Sequence, residues 1–125
     1  MTYPGNYRYT KEHQWVDVQG DTATIGITWY GQNELGDIVY VDLPKIGTRI
    51  EAGKTFTTVE SVKTAFDVSV PLSGEVIEIN DTLAGAPEKL NQDPHGAGWM
   101  VKVRVEKNAD LSGLLSAGDY EKFAG

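Results

Sequence analysis

Short segments rich in valine, isoleucine and threonine recur along this chain, separated by glycines and prolines. Residues 15–18 and 22–27 flank a Gly20-Asp21 turn, and apolar and polar side chains alternate in the second segment. Such alternation is typical of half-buried strands, and a glycine turn between two of them favours a hairpin. The pattern therefore predicts an opening hairpin in a mainly β protein, with helix as the minor component.

The next segment carries the signals of a short helix followed by a strand. Thr28 is a suitable N-cap, the helix would run to Leu35, and Gly36 just beyond it is typical of a C-terminal stop. A strand is predicted for residues 38–43, because Pro44 removes the backbone donor that would continue it.

The second half of the chain holds one irregular stretch and a helical C-terminus. Residues 81–98 are rich in glycine, proline and asparagine, which predicts a long loop. Residues 109–123 have largely helical apolar spacing, interrupted by Gly113 and Gly118, which predicts one broken helix or two short ones. Because no linker or low-complexity tract is present, residues 1–125 are expected to form a single domain.

A sixteen-residue run at residues 55–70, TFTTVESVKTAFDVSV, contains strand-forming residues and no glycine or proline. As one strand it would extend about 53 Å at roughly 3.3 Å per residue. A globule of this size is only about 35 Å across, so the chain must turn back inside the run. The polar residues Glu60, Ser61, Lys63 and Thr64 interrupt the apolar ones at its middle, which predicts a hairpin tip with Lys63 in solvent.

Turn chemistry alone would not select this tip. Tight hairpins favour Asn-Gly or Asp-Gly, and the Val62-Lys63 pair contains neither residue type. A turn built against local propensity is more often functional than accidental. Lys63 is therefore the first candidate for a functional residue.

Composition and charge exclude several classes of partner. The chain has 18 acidic and 11 basic residues and a net charge of -7, which works against binding nucleic acid or anionic membranes. No apolar run approaches the roughly 20 residues needed to span a bilayer. Residues 1–10 also lack the apolar stretch of a secretory signal, so an intracellular protein is expected.

Candidate catalytic chemistry is sparse. The absence of cysteine excludes a disulfide framework, a thiolate metal site and a cysteine nucleophile. His13 and His95 are the only histidines and lie far apart in sequence, so no metal site is expected. No phosphate-binding loop, dinucleotide fingerprint or nucleophile-elbow pattern occurs, and an enzymatic hypothesis therefore lacks a supporting motif.

The segment VESVKTAFDVSVPLSGEVIEIN, residues 59–80, resembles the lipoyl-lysine hairpin of glycine cleavage H proteins. The resemblance covers nearly the whole chain, since six blocks match the family in order: YTKEHQWV, TATIGIT, LGDIVYVDLPKIGTRIEAG, ESVK, NQDPHGAGWM and LLSAGDYEKF. It implies two antiparallel sheets that form a flattened barrel or sandwich, as in lipoyl and biotinyl domains, with short peripheral helices and a C-terminal helix. The lipoyl hairpin would occupy about residues 55–70.

The resemblance implies that lipoate is attached covalently to Lys63 by a lipoate ligase or an octanoyltransferase. The chain would then be a non-catalytic carrier that serves three enzymes: a pyridoxal-phosphate glycine decarboxylase, a tetrahydrofolate-dependent aminomethyltransferase and a flavin dihydrolipoyl dehydrogenase. A cytoplasmic monomer is expected, or a protein of the mitochondrial matrix if a transit peptide has been removed.

Five further residues gain candidate roles from the resemblance. Glu60 and Ser61 belong to the lysine motif, and the glutamate would assist ligase recognition. Asp67 matches an acidic position close to the groove in which the arm rests, and His13 and Gln14 match the groove itself. An ordinary solvated charge at the tip is a competing explanation for Glu60, and a strand-surface aspartate explains Asp67 equally well.

Two positions depart from the family pattern. Gln14 stands in HQW where HEW is usual, and Trp29 stands in ITWYGQ where ITDYAQ is usual. Glutamine accepts a hydrogen bond but lacks the charge to pair with an ammonium group. Both changes remove an acid, which bears on aminomethyl shuttling more than on lipoylation.

Three alternatives to a glycine cleavage carrier stay open. The chain could be an H-like protein that donates lipoyl groups to 2-oxoacid dehydrogenases or serves another lipoate-dependent pathway. It could be a biotin carrier, although such domains have methionines beside the lysine, where this chain has Val62 and Thr64. It could also be an unmodified interaction domain that has kept only the scaffold.

Overall fold

The computed structural model describes residues 3–69, 72–106 and 113–124. Within them the chain forms two antiparallel sheets and four short helices. The strands are β1 (Arg8–Tyr9), β2 (Gln14–Gln19), β3 (Thr22–Ile27), β4 (Ile38–Asp42), β5 (Arg49–Ile50), β6 (Thr55–Ser61), β7 (Ala65–Ser69), β8 (Gly74–Ile79) and β9 (Val101–Val105). The helices are α1 (Trp29–Leu35), α2 (Thr82–Gly85), α3 (Lys89–Gln92) and α4 (Ala117–Ala124).

The strands are divided between a large and a small sheet. The six-stranded sheet has the order β1-β2-β3-β9-β8-β5, and the three-stranded sheet has the order β4-β6-β7. The sheets do not close into a barrel and form a flattened sandwich instead, so the predicted fold class is confirmed. None of the helices in the described part of the chain is long and apolar enough to cross a membrane.

The opening hairpin and the helix that follows it are confirmed. β2 and β3 pair from Gln14↔Ile27 to Gln19↔Thr22, with Gly20 at φ 65° in the turn. At the start of α1 the Thr28 hydroxyl accepts a hydrogen bond from the Gly31 N–H at 3.1 Å. Local capping signals therefore identified this helix correctly.

Two buried clusters hold the elements together. The larger cluster lies between the two sheets and joins residues of both, among them Val16, Ile25, Val41, Val59, Val68, Leu72, Val76, Leu90, Met100 and Val103. The smaller cluster consists of Tyr9, Trp15 and Tyr120, and the Tyr9 and Tyr120 rings stack at 5.0 Å. Burial of these side chains against each other fixes α4 on the edge of the large sheet at β1.

The C-terminal prediction is wrong for residues 113–116. These residues are not helical, because Leu115 exchanges two backbone hydrogen bonds with Tyr9 at 2.8 and 2.7 Å and so extends the edge of the large sheet. α4 begins only at Ala117. The predicted helical residues 109–112 lie outside the described residues.

The long loop predicted for residues 81–98 is wrong in part, since it contains α2 and α3, each of four residues. Leu83 and Leu90 are fully buried and fix these single turns on the core. Packing of two leucines therefore overrides a composition that is rich in helix breakers.

Candidate functional site

The predicted hairpin at residues 55–70 is formed by β6 and β7, whose last cross-strand pair is Glu60↔Ala65. Beyond it the Ser61 N–H donates to the Thr64 carbonyl at 2.8 Å. The Ser61 hydroxyl oxygen accepts hydrogen bonds from the Lys63 and Thr64 N–H groups at 3.3 and 3.2 Å. A buried serine hydroxyl therefore stabilises the turn that glycine or asparagine stabilises in most hairpins.

The tip is also attached to the segment that follows α1. The Val62 N–H donates to the Asp37 carbonyl at 3.0 Å, and Ser61 pairs with Ile38 at the start of β4. Val62 is 73% exposed. The backbone of the tip is thus fixed, although Val62, Lys63 and Thr64 are exposed.

Lys63 lies exposed at the tip, as the length argument predicted. Its Nζ donates a hydrogen bond to the backbone carbonyl of Glu34, near the end of α1, at 3.2 Å. Gly36 has φ 81°, and a Cβ at this position would lie 2.8 Å from Lys63 Cε. The absent side chain of Gly36 therefore leaves the space through which the lysine stem passes.

Carboxylates line the outer face of the small sheet beside the tip. Tyr40 and Glu60 are cross-strand partners, and Thr58 pairs with both Asp42 and Asp67 in the adjoining row. The Thr58 hydroxyl donates to the Asp67 carboxylate at 3.0 Å. Glu60, Asp42 and Asp67 are exposed, so this face presents three carboxylates to solvent, and Glu60 is in the pair next to the tip.

Gln14 is 2% exposed and lies at the base of the hairpin. Its amide nitrogen donates to the Ser69 carbonyl at the end of β7, and its amide oxygen accepts a hydrogen bond from the Thr10 hydroxyl at 3.2 Å. Ser69 follows Lys63 by six residues, about 20 Å along an extended strand. A carboxylate could not donate to Ser69, so glutamine suits this contact.

His13 lies beside the start of α1. Its Nδ1 is 2.7 Å from the Tyr120 hydroxyl, which is in turn 2.7 Å from the Thr28 hydroxyl at the N-cap. The ring packs on Tyr30 at a centroid distance of 4.5 Å. The structure therefore brings Glu60, Ser61, Lys63 and Asp67 together on one hairpin, and it places His13 in a different cluster.

Burial disfavours the charged form of both histidines at the start of α1, and the free energy of unfolding should therefore depend on pH. Burial lowers the pKa of His13 and of His95 below the ordinary value of 6.5, and His95 Nε2 accepts a hydrogen bond from the Trp29 N–H at 3.0 Å. Below pH 6.5 the two imidazoles bind protons more readily in the unfolded chain than in the folded chain. The free energy of unfolding therefore falls on acidification.

We expect the midpoint of urea unfolding to decrease between about pH 7.5 and about pH 5.5, as the imidazoles of the unfolded chain become charged. A His13→Gln, His95→Gln double variant should show a smaller decrease over the same interval. Equal slopes in the two proteins would contradict this prediction.

Trp29, one of the two departures from the family pattern, lines a cavity of about 300 Å³ between α1, α4 and the N-terminal segment. The cavity is lined by Tyr3, Trp29, Tyr30, Asn33, Glu121 and Ala124. The sequence pattern marked Trp29 as a departure from the family but did not predict this cavity.

Asn91 was not identified from the sequence, although it fixes the end of α1 against β4. Its Oδ1 accepts a hydrogen bond from the Ile38 N–H at 2.9 Å, and its Nδ2 donates to Gln32 Oε1 and to the Gly36 carbonyl, each at 2.8 Å. The matched block NQDPHGAGWM contained this residue but did not show its contacts. Asn91 therefore helps to shape the surface on which the lysine side chain lies.

A metal centre gains no support from the described residues, among which no group of three or more histidine, aspartate or glutamate side chains converges. The arrangement instead offers one exposed amine on a fixed turn, beside exposed carboxylates. An amine in this setting is accessible to other proteins without any opening of the fold.

Comparisons with known proteins extend over the whole fold. The family model described as "Glycine cleavage H-protein" matches residues 7–125. The chain is 52% identical over 123 residues to the glycine cleavage system H protein of Acidobacterium capsulatum, covering 98% of this chain and 95% of that one. It is also 52% identical over 124 residues to the H protein of Koribacter versatilis, covering 99% and 95%.

A solved structure agrees with these sequence relatives. The crystal structure of a glycine cleavage system H protein from Mycobacterium marinum superposes with a TM-score of 0.85 at 36% sequence identity. The match covers 96% of this chain and 97% of that one. The two sheets and the hairpin therefore occur in a protein of the same overall architecture.

Proposed function

The chain belongs to the glycine cleavage H-protein family, and we propose that it serves the glycine cleavage system as the carrier of a lipoyl group attached to Lys63. The observation that carries this proposal is the exposed Lys63 amine at the tip of a hairpin whose backbone is fixed. A modifying enzyme can reach this amine without opening the fold. The family supplies the identity of the group.

The residues around Lys63 fit an acylated lysine. Gly36 leaves room beside the lysine stem that a Cβ would fill, and Val62 directs its side chain into solvent. When attached, the group supplies a dithiolane that carries reducing equivalents and the aminomethyl group. The chain contributes position, since a tethered group reaches a docked partner at an effective concentration on the order of mM.

The partners follow from this role. A lipoate ligase or an octanoyltransferase would modify Lys63. The glycine decarboxylase, the aminomethyltransferase and the dihydrolipoyl dehydrogenase would then each meet the same exposed tip in turn. In this role the chain catalyses no reaction itself. It is a carrier, and its own lysine is the substrate of the modifying enzyme.

The other residues of the hairpin have separable roles in this proposal. Ser61 shapes the turn that presents Lys63, because its hydroxyl accepts two backbone N–H groups of the tip. Glu60 and Asp67 present charge to the modifying enzyme or to a partner from the outer face of the small sheet. For His13 and Gln14 we propose structural roles at the start of α1 and at the base of the hairpin.

Mass spectrometry on the protein from its native host tests the assignment. We expect the intact mass to exceed the chain mass by one lipoyl group, and peptide mapping to place it on Lys63. Lys45 and Lys54, which are also exposed, should be unmodified. A biotinyl mass would identify a different carrier, and an unmodified Lys63 in cells that lipoylate other proteins would overturn the proposal.

A further inference from the structure

The side chain of Lys63 follows a defined path in the structure. Its Cε lies against Gly36, where a Cβ would be 2.8 Å from it and 3.7 Å from Nζ. Its Nζ donates to the Glu34 carbonyl at 3.2 Å. We refer to these two contacts together as the resting contact of Lys63.

The chemistry at the end of α1 favours a cation at this position. The last carbonyls of a helix lack intrahelical partners and accept hydrogen bonds from lysine side chains. The last turn of α1 has no basic residue of its own, and it contains the acidic residue Glu34. The Gln32 carbonyl is already bonded to the Gly36 N–H at 3.0 Å. Lys63 therefore supplies a donor from another element.

We propose that Gly36 is a positioning residue for Lys63, which lets the unmodified ammonium rest on the end of α1 until acylation removes its charge and frees the side chain. The resting contact exists in the unmodified chain, and only its release rests on the function proposed above. The sequence predicted Gly36 as a helix stop, and the structure adds this second role.

The acylation step requires the resting contact to open. The ammonium must lose one proton to solvent or to a base of the modifying enzyme before the lone pair of the amine forms the C–N bond with an activated acyl carbon, such as that of an acyl adenylate or a thioester. The nitrogen loses a second proton to the same base or to solvent as the tetrahedral intermediate collapses. The adenylate or thiolate then leaves with the electron pair of the broken bond. The product is a neutral amide with one N–H, and a neutral hydrogen bond is about half as strong as a charge-assisted one.

The chain offers a matched control for Gly36→Ala. Gly47 has φ 93°, close to the 81° of Gly36, but a Cβ at Gly47 would meet no heavy atom within 4 Å. Both positions have a positive φ, at which alanine is strained. Only at Gly36 would it also displace Lys63, so Gly47→Ala isolates the resting contact from the strain of a positive φ.

The test uses unmodified protein made in cells lacking lipoate, and limiting acetic anhydride as the probe. In Gly36→Ala we expect the acetylation of Lys63, relative to Lys45 in the same molecule, to rise about two- to threefold over wild type, a factor typical of a lost surface hydrogen bond. Gly47→Ala should leave the ratio unchanged. An unchanged ratio in Gly36→Ala, or an equal rise in both variants, would overturn the positioning role.

An NMR measurement on the wild-type chain decides the matter even if Gly36→Ala fails to fold. A nuclear Overhauser effect between Lys63 Hε and Gly36 Hα is expected in the unmodified protein and should weaken after lipoylation. Its absence before modification would overturn the resting contact, and its persistence at full strength afterwards would overturn the release. Mapping of the lipoyl group on native protein tests the carrier function separately. The resting contact and the carrier function can therefore fail independently.

Discussion

A Lys63→Arg chain is expected to support no glycine cleavage when it is combined with the decarboxylase, the aminomethyltransferase and the dihydrolipoyl dehydrogenase. The guanidinium keeps the charge and can still donate to the Glu34 carbonyl, so the fold and the tip should be preserved. It stays protonated, however, and cannot form the amide that holds the group. The rate of glycine-dependent CO2 release over many turnovers measures the loss of activity.

The control for this variant is Lys54→Arg. Lys54 is exposed and pairs with Glu51 at 3.1 Å, a contact that arginine can also make. This protein should be lipoylated and as active as wild type. If Lys63→Arg retained activity, the proposal that Lys63 carries the group would be contradicted. If lipoylated wild type supported no cleavage but donated its group to 2-oxoacid dehydrogenases, the relay alternative would be correct.

The hairpin tip could be predicted from the sequence because two simple constraints meet there. The run at residues 55–70 is too long for one strand in a globule of this size, and its polar residues lie at its middle. The means by which the tip is stabilised could not be predicted. The Ser61 hydroxyl replaces the usual turn residues, and its contacts depend on a backbone path that turn propensities did not favour.

Local signals sufficed for α1 and failed for the C-terminus, for a physical reason. Thr28 and Gly36 cap a helix through contacts within a few residues, which a sequence shows directly. Leu115 instead pairs with Tyr9, a partner more than a hundred residues away. Helical spacing at residues 113–116 carried no information about that strand edge.

The surroundings of Lys63 depend on distant contacts in the same way. Gly36 precedes Lys63 by 27 residues, and Asn91 reaches the end of α1 from α3. The resemblance assigned Gln14 to the arm groove, and the structure places its buried amide at the base of the hairpin, bonded to Ser69. Motifs therefore predicted Lys63 as the modified residue, and only the coordinates showed which distant residues lie around it.

Gly74→Ala is expected to be the most destabilising of the small substitutions considered, at about 3 kcal/mol. Gly74 pairs with Ile50 of β5 and with Val105 of β9, so strands flank it on both sides. A Cβ there would overlap the Arg104 carbonyl oxygen and lie 2.6 Å from Val103 Cγ1. The first of these is backbone within a sheet and cannot move without breaking strand pairing.

Thermal unfolding followed by circular dichroism measures this effect, and a decrease of about 10 °C in Tm is expected for a domain of this size. The control is Gly85→Ala at the end of α2, where a Cβ would meet no heavy atom within 4 Å and the change should stay within about 0.5 kcal/mol. Equal Tm values for the two variants would show that β8 and β9 approach less closely at Gly74. Because Gly74 lies in the large sheet and Lys63 at the tip of a hairpin of the small sheet, the variant should still be lipoylated below its Tm. This separates the stability of the scaffold from the chemistry of the tip.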